Sequence, residues 1–247
     1  MTTQQVIWDL SELFPSITDP KINQAMQEIK VLAKTFEMKY RGKIADLNPK
    51  GLLQCIINLE TFKEKFNNIT LFSTLSFSAN MTLPQTQSLH DRVNKLKAAI
   101  RKQLAFYQLE LANLLKNNPQ IIWEPTLHNY KHMLERIYRD VKHQLSEVEE
   151  QLIIEKDQFG VDAWKELQSK WLNTRVFDIT VLGKKKTLSY GEANGLLSHP
   201  ERTTRESANK SIYGLLDKDG EIFASALRNI CNDWVNVCNR RKHSCQV

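Results

Sequence analysis

Hydrophobic residues recur at intervals of three and four along most of the chain, which predicts amphipathic helices that bury one face. The first such stripe consists of Ile22, Met26, Ile29, Leu32, Phe36 and Tyr40. Asp19-Pro20 precedes it, and we expect Asp19 to cap this helix and Pro20 to occupy its first turn. Strand patterns are nearly absent, so the sequence predicts a mainly α fold.

Two long helices follow, and the short turn between them predicts an antiparallel helical hairpin. Asn48-Pro49 repeats the start signal, and a third long helix is predicted to run from Pro84 to Leu115. The second stripe comprises Leu52, Leu53, Ile56, Leu59, Phe62 and Phe66 and runs on toward Phe77; the third comprises Leu89, Val93, Leu96, Ile100, Leu104, Tyr107, Leu111 and Leu115.

The remaining stripes predict shorter helices and one β-hairpin. Glu124-Pro125 is expected to open a helix, and further helices are expected after Ser146, around Trp164, after Ser198 and after Gly220. Residues 177–188 alternate, turn at Gly183-Lys184 and return, as in a small hairpin. The predicted fold is therefore a lobe of antiparallel long helices with one small β-hairpin near residues 177–188.

Composition narrows the classes of protein. The 247 residues are 41% apolar and 25% charged, as in globular proteins. No apolar run is long enough to span a membrane, and Met1–Asp9 lacks the build of a secretory signal, so we expect a cytoplasmic protein without membrane contact. The net charge of +6 has clusters only at 184–186 and 240–242, with no aromatic residues interleaved. We interpret both clusters as solvated charge and expect no nucleic-acid partner.

The cysteines favour packing over metal binding. Cys231, Cys238 and Cys245 are seven residues apart, and Cys55 is distant; a zinc knuckle needs paired spacing such as Cys-x-x-Cys. The sevenfold spacing instead continues one helix stripe, the 224–238 seam, which consists of Ala224, Leu227, Cys231, Trp234 and Cys238. We expect buried free thiols here and possible association through the seam.

His128 and His132 have the i, i+4 spacing of a helical metal site, and Glu135 shares their face. The residue after the first histidine is Asn129, which cannot activate a metal-bound water. The three side chains also lie away from the apolar stripe, so we expect them to face water, with Glu135 paired to Arg139. No metal site is predicted.

The run His143-Gln144-Leu145-Ser146-Glu147-Val148-Glu149-Glu150, called the octapeptide below, is the most distinctive motif. Ser146 with Glu149 predicts a capping box, and its acids suit a helix start. His143 either orients this helix or meets a substrate. Since no phosphate-binding loop or serine-hydrolase elbow occurs either, we assign no catalytic, cofactor-binding or metal-binding residue.

The octapeptide resembles a run in the oligoendopeptidase F branch of the thimet-oligopeptidase-like zinc metallopeptidases. Other features resemble the amino-terminal half of these enzymes in their order along the chain. They are the opening Trp8-Asp9-Leu10-Ser11-Glu12-Leu13, the helical hairpin, the Trp164 region, the hairpin at 177–188, Ser198-His199-Pro200 with Arg202, Arg205 and Ala208, and Asn229-Ile230-Cys231-Asn232-Asp233.

The resemblance implies a two-lobed helical enzyme that hydrolyses short peptides in a channel, with zinc held by His-Glu-x-x-His, a motif absent from this sequence. We therefore expect an amino-terminal lobe over residues 1–176 and the first part of a truncated catalytic domain over 177–247. The chain alone is predicted to hold no zinc and to be inactive. A free-standing helical interaction module and complementation by a separate zinc-bearing chain are the alternatives.

Overall fold

The computed structural model describes residues 9–81 and 83–244, so Trp8 and Cys245 lie outside the described residues. By their contacts the residues form two compact units, Met1–Glu155 with Arg240–His243 and Lys156–Asn239 with Ser244–Val247. The predicted mainly α fold is confirmed, with one two-stranded sheet in the described residues. The division into domains at residue 176 stays a prediction.

The first unit is built from helices, and the first two begin at the predicted capping residues. Its elements are α1 (Pro20–Tyr40), α2 (Pro49–Ala79), α3 (Pro84–Gln103), α4 (Ala105–Asn117), α5 (Lys131–Asp140) and the first part of α6 (Glu147–Phe159). The side chain of Asp19 accepts a hydrogen bond from Lys21 N at 2.7 Å, and Asn48 accepts one from Gly51 N at 2.8 Å. Both predicted caps are therefore confirmed, each with proline in the first turn.

The predicted hairpin of α2 and α3 is also confirmed. The two helices pack against each other and against α1. The turn between them is fixed by Thr86, whose hydroxyl donates to the carbonyl oxygens of Asn80 at 2.6 Å and Leu83 at 2.8 Å. Thr86 is buried, so its hydroxyl satisfies turn carbonyls that water cannot reach.

The prediction of one helix from Pro84 to Leu115 is wrong. The helix is interrupted at Leu104, where the backbone has φ −96° and ψ 7°, and α4 starts at Ala105. Helix α4 buries more than one side, because Phe106, Ala112 and Leu114 are buried together with the predicted stripe. A continuous helix keeps a single direction, whereas the break lets α4 take its own path through the core.

The helix expected from Pro125 begins later than predicted. Residues Pro125–Tyr130 form 3₁₀ turns, and α5 starts only at Lys131. The apolar stripe still reaches the core, since Leu127, Leu134 and Ile137 are buried. The spacing therefore identified the buried face correctly but not the tighter winding of the first turns.

The second unit continues with α7 (Val161–Asn173), β1 (Phe177–Val181), β2 (Lys184–Leu188), α8 (Tyr190–Gly195), α9 (Arg202–Lys218) and α10 (Gly220–Arg240). Arg240, the last residue of α10, belongs to the first unit. The predicted β-hairpin is confirmed, but its turn lies at Leu182-Gly183, both with positive φ, as the tightest hairpin turns require. Strand β1 buries Phe177, Ile179 and Val181, which share a small core with Ala208 and Ile212 of α9.

None of the described helices is both long and apolar enough to cross a membrane.

Candidate functional site

The octapeptide forms the start of α6 in the first unit, and its predicted capping box is present. The amide N–H of Ser146 donates to Glu149 Oε2 at 3.0 Å, and the amide N–H of Glu149 donates to the Ser146 hydroxyl at 3.4 Å. The backbone and hydroxyl hydrogen bonds from Ser146, with a further one from Arg240, lower the pKa of the Glu149 carboxyl. This carboxylate therefore stays charged at neutral pH.

Each acid of the octapeptide also binds an arginine from a distant part of the sequence. Arg41 contacts Glu147 at 2.8 Å and Arg240 contacts Glu149 at 2.8 Å. Glu150 accepts two hydrogen bonds from the guanidinium of Arg241, at 2.6 and 2.7 Å. This two-pronged geometry is the strongest arrangement available to an arginine and a carboxylate. The start of α6 is thus held by three acid–arginine pairs.

Arg41 connects this helix start to the helical hairpin region. Its guanidinium contacts Glu37 Oε1 at 2.8 Å, donates to the carbonyl of Gln103 at 3.2 Å and lies over the ring of Phe106 at 4.5 Å. Burial alone would lower the pKa of Arg41, but its hydrogen bonds and charge interactions with Glu147 and Glu37 raise it. Arg41 therefore orients α6 relative to α1 and to the break before α4.

His143 makes two contacts with a distant segment of the chain. Its Nδ1 lies 2.8 Å from the carbonyl oxygen of Arg241; because a carbonyl only accepts, Nδ1 must carry the hydrogen. The ring also stacks on His243, with centroids 3.9 Å apart and planes 21° apart. His143 therefore contacts the segment 241–243 beside the octapeptide, and the choice between the two roles left open by the sequence stays a prediction.

A cavity of about 430 Å³ lies beside this segment within the first unit. Its polar walls are formed by Gln108, Asp140, His143, Gln144, Glu150 and Arg241. Of the charged groups in these walls, Glu150 and Arg241 are engaged with each other in the bidentate pair. The cavity therefore presents no unpaired carboxylate from Glu150 that could serve as a strong base.

The interpretation of residues 240–242 as solvated charge is wrong for Arg241, whereas the side chain of Arg240 is 61% exposed as expected. Arg241 keeps only 24% of its side chain exposed and is paired with Glu150, and Arg240 is paired with Glu149. The acids that neutralise them lie 91 residues away in sequence, so sequence proximity gave no indication. The other cluster, at 184–186, is exposed as expected.

His128 and His132 are exposed, as the stripe predicted. His128 belongs to the 3₁₀ turns and His132 to α5, so the two do not share one regular α-helix. The predicted partner of Glu135 is wrong, because its carboxylate lies 3.9 Å from Lys131. Within the described residues, no cluster of three histidine, cysteine or acidic side chains could hold a metal ion.

The expectation of buried thiols is confirmed for Cys55 and Cys238 and is wrong for Cys231, which is exposed. Burial raises the pKa of the Cys55 thiol to about 12. Cys231 and Cys238 lie on the same side of α10, so they differ in position along the helix: of the 224–238 seam, the end at Cys238 is buried.

Comparisons with known proteins agree with this description of a helical lobe. The family model described as oligopeptidase F matches residues 120–173, which include the octapeptide. The chain is 22% identical over 227 residues to the group B oligopeptidase PepB of Streptococcus agalactiae, covering 90% of this chain and 37% of that protein. It is also 22% identical over 231 residues to the chromosomal oligoendopeptidase F of Lactococcus lactis subsp. cremoris, covering 91% of this chain and 38% of that protein.

The fold is similar to that of oligoendopeptidase-F from Enterococcus faecium. The TM-score is 0.73 at 22% identity, and the match covers 93% of this chain and 46% of that one. A putative peptidase from Chlamydophila abortus gives a TM-score of 0.53 at 15% identity.

The fold is mainly α with one small β-hairpin, and it is similar to that of the oligoendopeptidase-F structure. The chain is a relative of oligoendopeptidase F, matched along the amino-terminal portion of those enzymes. It spans a little over a third of the length of the curated relatives.

Proposed function

We propose that this chain forms the amino-terminal lobe, over residues 1–176, and the first catalytic-domain elements, over 177–247, of a zinc endopeptidase of the oligoendopeptidase F type. In such an enzyme the substrates are short peptides, and the lobe walls one side of the channel that limits their size. The match along 90% of this chain to a protein named as an oligopeptidase is the observation that supports this proposal. We infer a cytoplasmic location and no nucleic-acid or membrane partner.

The 247-residue chain is proposed to be inactive by itself. Hydrolysis by this class needs a metal-activated water and a general base, and the sequence contains no His-Glu-x-x-His. The three carboxylates of the octapeptide, of which Glu150 borders the cavity, all bind arginines. They serve to position the helix.

Peptide hydrolysis tests the inactivity directly. Purified chain incubated with a quenched fluorescent peptide and zinc is expected to give no cleavage above buffer, with a chelator making no difference. The matched control is the Lactococcus oligoendopeptidase F under the same conditions, which must cleave in a chelator-sensitive manner. Chelator-sensitive cleavage by the 247-residue chain would overturn this part of the proposal.

The proposed parent enzyme has a separate test. The DNA that follows the codon for Val247 should continue in some frame to encode His-Glu-x-x-His, and the joined polypeptide should hydrolyse the peptide in a zinc-dependent way. A genomic sequence with no such continuation would contradict the parent enzyme while leaving the inactivity of the chain intact.

A second candidate function is that of a free-standing interaction module. It is favoured by the exposure of the 224–238 seam, in which Leu227 is 62% and Trp234 58% exposed. Large apolar side chains that are exposed together on one surface often mark a site of protein–protein interaction.

A further inference from the structure

Helix α10 of the second unit carries an exposed apolar stripe, defined here as Ala224, Leu227, Cys231 and Trp234. The spacing of three, four and three residues puts these side chains on one side of the helix, as in the a and d positions of a coiled coil. All four residues are exposed, and the next position in the series, Cys238, is buried. The stripe therefore has the spacing of a coiled-coil seam over two heptads, and no helix of the described residues covers it.

The same helix is poor in charge. From Phe223 to Asn239 it contains only Arg228 and Asp233, whereas a quarter of the whole chain is charged. Asp233 is itself engaged in an ion pair with Lys156. Depletion of charge around an apolar centre distinguishes interface surfaces from surfaces that face water.

The alternation of small and large side chains along the stripe favours a second, antiparallel copy of the same helix as its partner. The a positions hold the small residues Ala224 and Cys231, and the d positions hold the large residues Leu227 and Trp234. In an antiparallel pair of helices each a position faces a d position, so large side chains meet small ones. A parallel pair would instead place Trp234 on a second tryptophan and Cys231 on a second cysteine. Small opposite large packs without voids or overlap.

We propose that a second copy of this chain docks on the stripe, with the two α10 helices antiparallel about a two-fold axis at the level of residue 229. The side chain of Asn229 itself lies on the opposite side of the helix from the stripe. Leu227 then lies against the partner's Cys231, and Trp234 lies against the partner's Ala224. Every contact occurs twice, as in any two-fold interface between identical surfaces. The stripe fits its own copy because it contains both halves of each contact.

The area supports a weak, reversible dimer. Besides Leu227 and Trp234, Tyr213 of α9 is 55% exposed and borders the same groove as Leu227. On ordinary side-chain areas these three residues expose roughly 400 Å² per copy, so two copies cover about 800 Å² before the smaller residues are added. Specific interfaces start at about 1,000 Å², which places this pair at the weak end.

Sedimentation velocity tests the dimer with the chain as it is. Over loading concentrations from about 5 to about 500 µM, the weight-average mass should rise from one copy toward two, as expected for a micromolar dissociation constant. Leu227→Asp should abolish this rise. Asn229→Asp, which adds the same charge to an exposed position on the same helix, should leave it within about twofold of the parent dissociation constant.

Disulfide trapping tests the direction of the helices. In a Cys245→Ser background, Leu227→Cys should give an inter-chain disulfide with the partner's Cys231 on oxidation by oxidised glutathione. The trapped dimer should be lost in the double variant Leu227→Cys, Cys231→Ser, and Asn229→Cys should give little. Trapping of the background chain through Cys231 alone, at the yield of Leu227→Cys, would indicate parallel helices and overturn the arrangement.

A chain that stays monomeric at every concentration would overturn the proposal and leave the stripe to a different polypeptide, such as the portion of the longer relatives that this chain does not match. None of these measurements depends on peptidase activity, so their outcome is independent of the proposed function.

Discussion

At the scale of single residues, the ion pair between Glu150 and Arg241 stabilises the octapeptide at the start of α6. Their side chains are 21% and 24% exposed, the least of the ion pairs among the described residues. Arg241 also offers its carbonyl to His143 and its guanidinium to the carbonyl of His143 at 3.4 Å. A half-buried pair with this many hydrogen bonds contributes more to stability than an ordinary surface pair.

We expect Glu150→Gln to lower the free energy of unfolding by about 1 kcal/mol, because the variant leaves the guanidinium of Arg241 half-buried without its counter-charge. Urea unfolding followed by circular dichroism measures the change. The control is Glu155→Gln, which removes the exposed partner of Lys102 and should cost less than about 0.5 kcal/mol. Equal losses of unfolding free energy in the two variants would show that the partial burial of the Glu150–Arg241 pair does not add to its contribution.

The cysteines should differ in reactivity. In a Cys245→Ser background, an aromatic disulfide reagent at pH 8 should modify Cys231 fastest, because it is exposed. Cys55 should react slowly, since burial both blocks access and raises its pKa to about 12, which leaves little thiolate. Mass spectrometry of partly labelled protein identifies the site. Labelling of Cys55 at the rate of Cys231 would contradict the burial described above.

At the scale of elements, the capping signals in the sequence were reliable, whereas the start at Pro125 and the break at Leu104 were not predicted correctly. Capping residues act on backbone groups two or three positions away, so Asp19, Asn48 and Ser146 could be identified from local sequence. The break at Leu104 has no proline or glycine to mark it. It follows from the packing of α4 against several neighbours, which local sequence does not encode.

We expect Ser146→Ala to destabilise the chain by about 1 kcal/mol at pH 7, because the first turn of α6 loses its cap. Because the pKa of Glu149 is lowered in the folded state, its contribution is full above the unfolded value of about 4.3 and is lost as pH falls through the folded value. The difference between the variant and the parent should therefore shrink below about pH 4.

Thermal or urea unfolding at pH 7 and pH 3.5 measures both effects. Ser88→Ala is the matched control, because Ser88 is an exposed residue within α3 and alanine is the better helix former. A destabilisation by Ser146→Ala that stays constant down to pH 3 would exclude a contribution from the charged Glu149.

At the scale of the whole molecule, the two units differ in the size of their cores. The first unit contains the large cluster, which includes Leu52, Phe106, Leu111 and Leu127. The second unit has a small cluster of β1, α8 and α9 residues, and α10 buries only Ala226 and Cys238. Burial of apolar area is the main source of stability, so stability should be uneven along the chain.

Amide hydrogen exchange is therefore expected to be faster in α10 than in α1 and α2 by at least tenfold. Exchange measured by mass spectrometry at low protein concentration checks this without a contribution from self-association. The β-hairpin should be intermediate, since Phe177 and Ile179 are buried. Protection of α10 as strong as that of α1 would mean that the uneven core does not control local opening.

The sequence by itself determined the mainly α fold, the helical hairpin, the small β-hairpin, the caps and the relationship to oligoendopeptidase F. These depend on short-range spacing and on motifs that remain visible in one dimension. The tertiary structure decided which charges meet: Arg41 is 106 residues from Glu147, and Glu110 accepts hydrogen bonds from the backbone of Gly42 and Ile44.

The same limit applies to the octapeptide and to the 224–238 seam. Spacing showed that His143 precedes a cap and that the seam is apolar, but orientation relative to a core is a property of three dimensions. Only packing could show that the octapeptide is bound by three arginines and that Leu227 and Trp234 remain exposed.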